Sequence, residues 1–148
     1  MSNGRTQLST FARRALLSTV YEYFLVTLPV AIFVTLEALH KEDRSFCWSS
    51  PEWAIATIFL LFQGLSLYIR ELTRTGRKIS EGYIGILGLV VLVGAVITSI
   101  NAYQSLHENT NWGVSFRLAF FGLASIAFIL MVGGAKLAYL NTEQRAHG

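Results

Sequence analysis

Few residues in this chain could do chemistry, and most of them stand inside or beside long apolar runs. Glu22 lies one to two turns inside the first run. A carboxylate there could bind a proton or a cation, because an ionisable group within a membrane helix is a functional candidate by default. The competing reading is an interfacial carboxylate, flanked by Tyr21 and Tyr23 and paired with Arg13, Arg14 or a loop arginine. Gln63 falls near the middle of the second run, with Ser66 one turn further on. A lipid-facing amide at that depth leaves donors and acceptors unpaired, at a cost on the order of a few kcal/mol. Asn101 lies near the end of the third run. Arg117 stands about one turn into the fourth, where its long stem lets the guanidinium reach the nearer membrane surface.

Two further groupings have chemistry of their own. Glu37 and His40 are one helical turn apart, His107 and Glu108 are adjacent, and Cys47 lies between the two pairs in the chain. Carboxylate, imidazole and thiolate are suitable metal ligands. A di-metal carboxylate bundle repeats Glu-x-x-His on a second helix, however, and this chain has one copy. The other grouping is basic: Arg70, Arg74, Arg77 and Lys78 fall within nine residues, opposed only by Glu71. Such a loop holds anionic lipid at roughly 1 kcal/mol per cation, or docks an acidic soluble partner.

The remaining signatures are negative. No two histidines lie within the apolar runs, which argues against a bis-histidine haem. The single cysteine permits no internal disulfide. Gly-x-Ser-x-Gly, a Walker loop, His-Glu-x-x-His and Cys-x-x-Cys are absent. The polar groups in the runs also sit at different depths, whereas a membrane enzyme gathers them at one. We therefore expect no catalytic residue, no metal and no cofactor.

The elements that position these residues follow from composition. Of 148 residues, 53% are apolar and 14% charged, against roughly a quarter charged in soluble domains. The mean hydropathy is +0.47. Four runs reach the ~20 residues needed to span a bilayer: approximately Leu16–Leu39, Trp53–Ile69, Tyr83–Tyr103 and Trp112–Leu140, within helices expected over 16–39, 51–70, 82–103 and 112–140. The expected fold is all-α, an integral membrane four-helix bundle with short loops, forming one transmembrane domain over 1–148. The first run is too long for a cleaved signal and reads as a retained helix. The three arginines before it read as a basic flank rather than a transit peptide.

The stretch WSSPEW, residues 48–53, opens the second span. Ser50 is the expected N-cap and Pro51 the first helical residue, with Glu52 placing negative charge on the first turn. Trp48 and Trp53 have the amphipathic rings of the membrane interface, and Trp112 matches them at the start of the fourth span. Orientation follows from the cations. Arg5, Arg13, Arg14, Arg70, Arg74, Arg77, Lys78, Lys136 and Arg145 fall on one side; Lys41, Arg44 and Arg117 fall on the other. The bias puts both termini and the basic loop in the cytoplasm, and WSSPEW outside. The pI of about 9.2 thus reports topology rather than nucleic-acid binding.

Small and polar residues mark helix contacts in lipid. On the second span, Glu52, Ala56, Phe59, Gln63, Ser66 and Arg70 share a face, which is expected to point into the bundle or at another subunit. The third span carries Gly85, Gly88, Ala95 and Ser99 on one face and Gly94, Thr98 and Asn101 on the other, so it is expected to be central. On the fourth, Ser115, Gly122, Ser125 and Gly133 share a face, with Arg117 roughly opposite. Pro29 removes a backbone donor and frees the Leu25 carbonyl, making it a candidate hinge.

The functional expectation is a non-enzymatic, homo-oligomeric membrane subunit. It would act as sensor or scaffold with an acidic soluble cytoplasmic partner, in a bacterial inner membrane and in a defence or stress system. The alternative is a small channel, transporter or phage-type pore former using Gln63, Ser66 and Glu22. The expected partners are the lipid bilayer and further copies of the chain, not nucleic acid.

Overall fold

The computed structural model describes residues 3–43, 45–76, 80–107 and 110–147. All regular structure among them is helical: α1 (Asn3–His40), the one-turn α2 (Phe46–Ser49), α3 (Glu52–Arg74), α4 (Glu81–His107) and α5 (Asn111–His147). The four long helices contain spans long and apolar enough to cross a membrane, at Thr10–His40, Glu52–Arg74, Glu81–Ser105 and Asn111–Leu140. These are the four expected runs, and the protein is multi-pass in character. The short α2 was not expected from the sequence. At 38 and 37 residues, α1 and α5 are each about 55 Å long, well beyond a ~30 Å hydrocarbon core.

The helix ends are made by local chemistry. The α1 terminus closes as the Glu42 amide donates to the Leu39 carbonyl and the Asp43 amide to that of Ala38, with Glu42 at φ 54°. This is the reciprocal capping arrangement usually built on glycine. At the end of α3 glycine does take that position: Gly76 has φ 68°. Thr110 caps α5, its Oγ1 accepting from the Gly113 amide at 3.1 Å. The start of α3 lies one residue later than expected. Pro51 occupies the N-cap, and the buried Ser50 hydroxyl accepts from the Glu52 amide at 3.3 Å while donating to the Glu52 carboxylate.

Helix α3 is the hub. It packs against α5 most extensively, then α4, then α1, whereas α4 has only a small contact with α5 and none with α1 among the described residues. The expectation of a central third span is therefore corrected: α4 is peripheral. Its Gly94 face is the one that packs, since a Cβ there would lie 3.2 Å from Leu61 Cδ1, whereas Gly85 and Gly88 have nothing within 4 Å. The tightest seam is α3 to α5, where a Cβ at Gly64 would lie 3.0 Å from the Phe128 ring. Leu60, Leu67, Ala124, Phe128 and Val132 form the core along this seam.

Hydroxyls buried in this apolar setting are satisfied within their own helices. Thr19 donates to Ala15, Thr57 to Trp53 and Thr98 to Gly94, each to a carbonyl four residues back at 2.7–2.8 Å. That local bond removes the cost of placing a hydroxyl away from water. Ser125 does the same with Phe121, which leaves Tyr23 as the donor in the 3.0 Å hydrogen bond joining α1 to α5.

Candidate functional site

A connected network of charged groups stands at one pole, where α1, the last turn of α3 and the later part of α5 meet. Ser18 and Glu22 lie one turn apart on α1 and so share a face. Lys136 reaches them from α5. Its Nζ donates to Glu22 Oε2 at 2.7 Å and to Ser18 Oγ at 2.6 Å, and the residue is only 7% exposed. The second Glu22 oxygen accepts from Arg70 Nη2 at 3.4 Å. Arg70 also donates Nε and Nη2 to Glu71 Oε1, at 3.2 and 3.0 Å. Glu71, 3% exposed, completes the chain by accepting from Arg74 Nη1 at 3.3 and 3.4 Å. The result is one connected run: Lys136, Glu22, Arg70, Glu71, Arg74.

The run borders a cleft of about 340 Å³, which Arg14, Ala15, Tyr139 and Leu140 also line. Four cations thus face two carboxylates, and the cleft carries excess positive charge. A buried Glu–Lys pair is stable only when the attraction and extra hydrogen bonds offset the loss of water. Ser18 supplies such a bond to Lys136, and Arg70 supplies one to Glu22.

Of the residues singled out in the sequence, Glu22, Arg70 and Arg74 are brought together here. Glu22 is a paired carboxylate, with Lys136 as its closest partner rather than Arg13 or Arg14. Arg77 and Lys78 lie outside the described residues. Lys136 and Glu71 were missed as site residues. The available signal was a lysine five residues inside the fourth apolar run, and an acid within a basic cluster.

The others lie elsewhere. Gln63, Ser66 and Phe59 are exposed on α3, and of their expected stripe only Ala56 is fully buried. The bundle-interior half of that expectation is corrected: the stripe faces outward. The interior stripe of α3 is Thr57, Leu60, Gly64, Leu67 and Glu71, one residue further along and so turned by about 100°. Pro29 is exposed, and α1 runs through it as a single helix.

Arg117 occupies the opposite pole and is 1% exposed. The expected snorkelling is thereby corrected. Instead of reaching the surface, it donates Nη2 to the Ser49 carbonyl at 3.0 Å, and the charge of Glu52 acts on it. The nearby Trp53 ring packs on Phe121 at 5.0 Å and donates Nε1 to the Cys47 carbonyl at 2.6 Å. Trp53 is therefore a packing residue, while Trp48 and Trp112 are exposed. Asn101, half-buried, borders a smaller cavity of about 220 Å³ with Thr110 and Trp112.

Of the possible metal ligands, Glu108 lies outside the described residues, and the others do not converge. Glu37 pairs with Lys41 at 2.9 Å, and no group of three His, Cys, Asp or Glu is close enough to hold an ion among the described residues. Comparisons of the chain with protein-family models, with curated proteins and with solved structures give no match.

Proposed function

We propose that the protein is a self-associating, non-enzymatic membrane subunit whose basic pole, with both termini, faces the cytoplasm of a bacterial cell. The observation that carries this reading is the outward face of α3. Gln63 and Ser66 are exposed near mid-span, while the α3–α5 seam behind them is filled by Leu60, Leu67, Phe128 and Val132. A carboxamide facing lipid lacks partners, and a second copy of the same face supplies them. The excess of Lys and Arg at the basic pole supports the orientation. Arg77 and Lys78, next to that pole in the chain, fit an acidic soluble partner.

The test is native mass spectrometry after mild detergent extraction. We expect a homo-oligomer, and we expect Gln63→Leu to shift it toward monomer without lowering the amount inserted. An oligomer unchanged by Gln63→Leu removes α3 from the interface. A bare monomer in the wild type ends the reading. For the partner, Arg77→Glu with Lys78→Glu should release any bound acidic protein while the oligomer persists.

The same outward amide favours one other reading, a small channel with its path between subunits rather than within one. It requires solute flux in liposomes that changes with Gln63→Leu. Flux that ignores this substitution, or no flux at all, excludes it.

A further inference from the structure

We infer that the cleft at the basic pole binds a phosphate, and that its source is the headgroup of an anionic phospholipid. The cleft is lined by Arg14, Arg70, Arg74 and Lys136 against Glu22 and Glu71. The two carboxylates are already engaged by Lys136, Arg70 and Arg74. What remains is excess positive charge, and guanidinium donors beyond those the carboxylates use. A guanidinium has five N–H donors in a fixed fork that matches phosphate. Arg74 gives Nη1 to Glu71, which holds the group in place. Arg14 is exposed and forms no ion pair with a described residue. Three guanidinium groups, those of Arg14, Arg70 and Arg74, therefore border an open cleft of about 340 Å³, two of them oriented by the buried Glu71.

Depth argues for a lipid source. Helix α3 has 23 residues, about 34 Å, so its last turn lies near the headgroup level of a ~30 Å core. Glu71 and Arg74 belong to that turn. The cleft also has apolar lining from Ala15 and Leu140. Next to Ser18 and Glu22 on α1, Leu17 and Tyr21 are exposed, a surface along which acyl chains can lie. A basic pocket between transmembrane helices at this level has the chemistry that holds lipid phosphate.

The experiment measures lipid retention by native mass spectrometry in a non-ionic detergent. Phosphatidylglycerol and phosphatidylcholine are titrated separately, and inorganic phosphate is added in a third arm. We expect preferential retention of phosphatidylglycerol, weakened about tenfold by Arg14→Gln, the loss of one charge-assisted contact. Arg14→Lys, which keeps the charge, should restore most of it. Arg14 supports no described ion pair, so Arg14→Gln should leave assembly unchanged; Arg14→Lys provides the comparison if it does not. Equal retention of the two lipids overturns the lipid assignment. If inorganic phosphate alone raises thermal stability, and Arg14→Gln abolishes that rise, the site takes a soluble phosphate instead. No lipid preference together with no phosphate effect overturns the site itself.

Discussion

The two poles of the molecule each bury a cation, and they do so in opposite ways. At the basic pole Lys136 meets the Glu22 carboxylate directly, and the pairing continues through Arg70 to Glu71 and Arg74. At the other pole Arg117 donates to the backbone carbonyl of Ser49. Lys136 therefore joins α1 to α5 by a charge pair within a wider network that opens on a cleft. Arg117 closes a joint between α5 and the connector from α1 to α3, bonding it at the last residue of α2. One pole leaves cationic donors facing an open space; the other places its guanidinium in the packing. Burial of a charge is thus not by itself a sign of a ligand site. What distinguishes the two is whether cationic donors face an open cleft, as they do beside Lys136, or are enclosed in the packing, as Arg117 is.

The largest effect should come from breaking the Lys136–Glu22 pair. Lys136→Met leaves Glu22, whose side chain is 21% exposed, with only the longer contact to Arg70, and the loss should approach the ~3 kcal/mol that removing one partner of a fully buried pair costs. Combining Lys136→Met with Glu22→Met removes both charges, and much of the loss should return. The readout is reversible unfolding in mixed micelles by denaturant. If the double variant is as unstable as the sum of the singles, the two residues are not acting as a pair, and the contrast between the poles loses its basis.

That these two residues meet was hidden in the sequence, although the helices they sit on were plain. Twenty-residue apolar runs are the strongest signal a chain can give of its helices in a membrane, and all four were legible. The faces were not. In water a hydrophobic stripe marks the interior, but in lipid the outside is apolar too. Gln63 and Ser66 drew the inward face of α3 onto the wrong side by about one residue. Gly64, which permits the Phe128 ring to approach, was the better guide, because close packing and not polarity sets that seam. Arg117 misled for a related reason: stem length allows snorkelling, but a carbonyl within reach ends the search earlier. The charge network escaped notice because its members come from residues 18–22, 70–74 and 136, and only the fold brings them to one level.

An intermediate effect is expected at the second pole. Arg117→Met removes the hydrogen bond to Ser49, at a cost of about 2 kcal/mol for a charged donor, and loosens the connector more than the bundle. Cys47 lies in α2 and is half-buried, so its thiol reports on that connector. We expect faster labelling by a maleimide in Arg117→Met, with the lipid retention of the basic pole unaltered. Equal loss at both poles would mean that the two sites are coupled through α5 and do not act separately.

The smallest effect concerns a turn beside the second pole, where charge is handled in water. Asp43 follows α1, and its Oδ1 accepts from the Ser45 hydroxyl at 2.7 Å and the Ser45 amide at 2.8 Å. The hydroxyl first, then the amide, hold the Asp43 carboxyl below its ordinary value of 3.8, with Lys41 adding a smaller pull in the same direction. A depressed carboxyl stabilises the folded turn fully above its unfolded value, and that contribution is lost as pH falls through the lower folded one. The turn should therefore keep its form at neutral pH and loosen only in acid below 3.8. Ser45→Ala removes the larger of the two donors while leaving the amide. Titration of the Asp43 carboxyl by NMR should then show its midpoint rising toward 3.8. An unchanged midpoint would assign the shift to the Ser45 and Phe46 amides and Lys41 instead. Either way the Lys136–Glu22 pair should not respond to Ser45→Ala, because Glu22 lies about five helical turns before the end of α1 and shares no partner with Asp43.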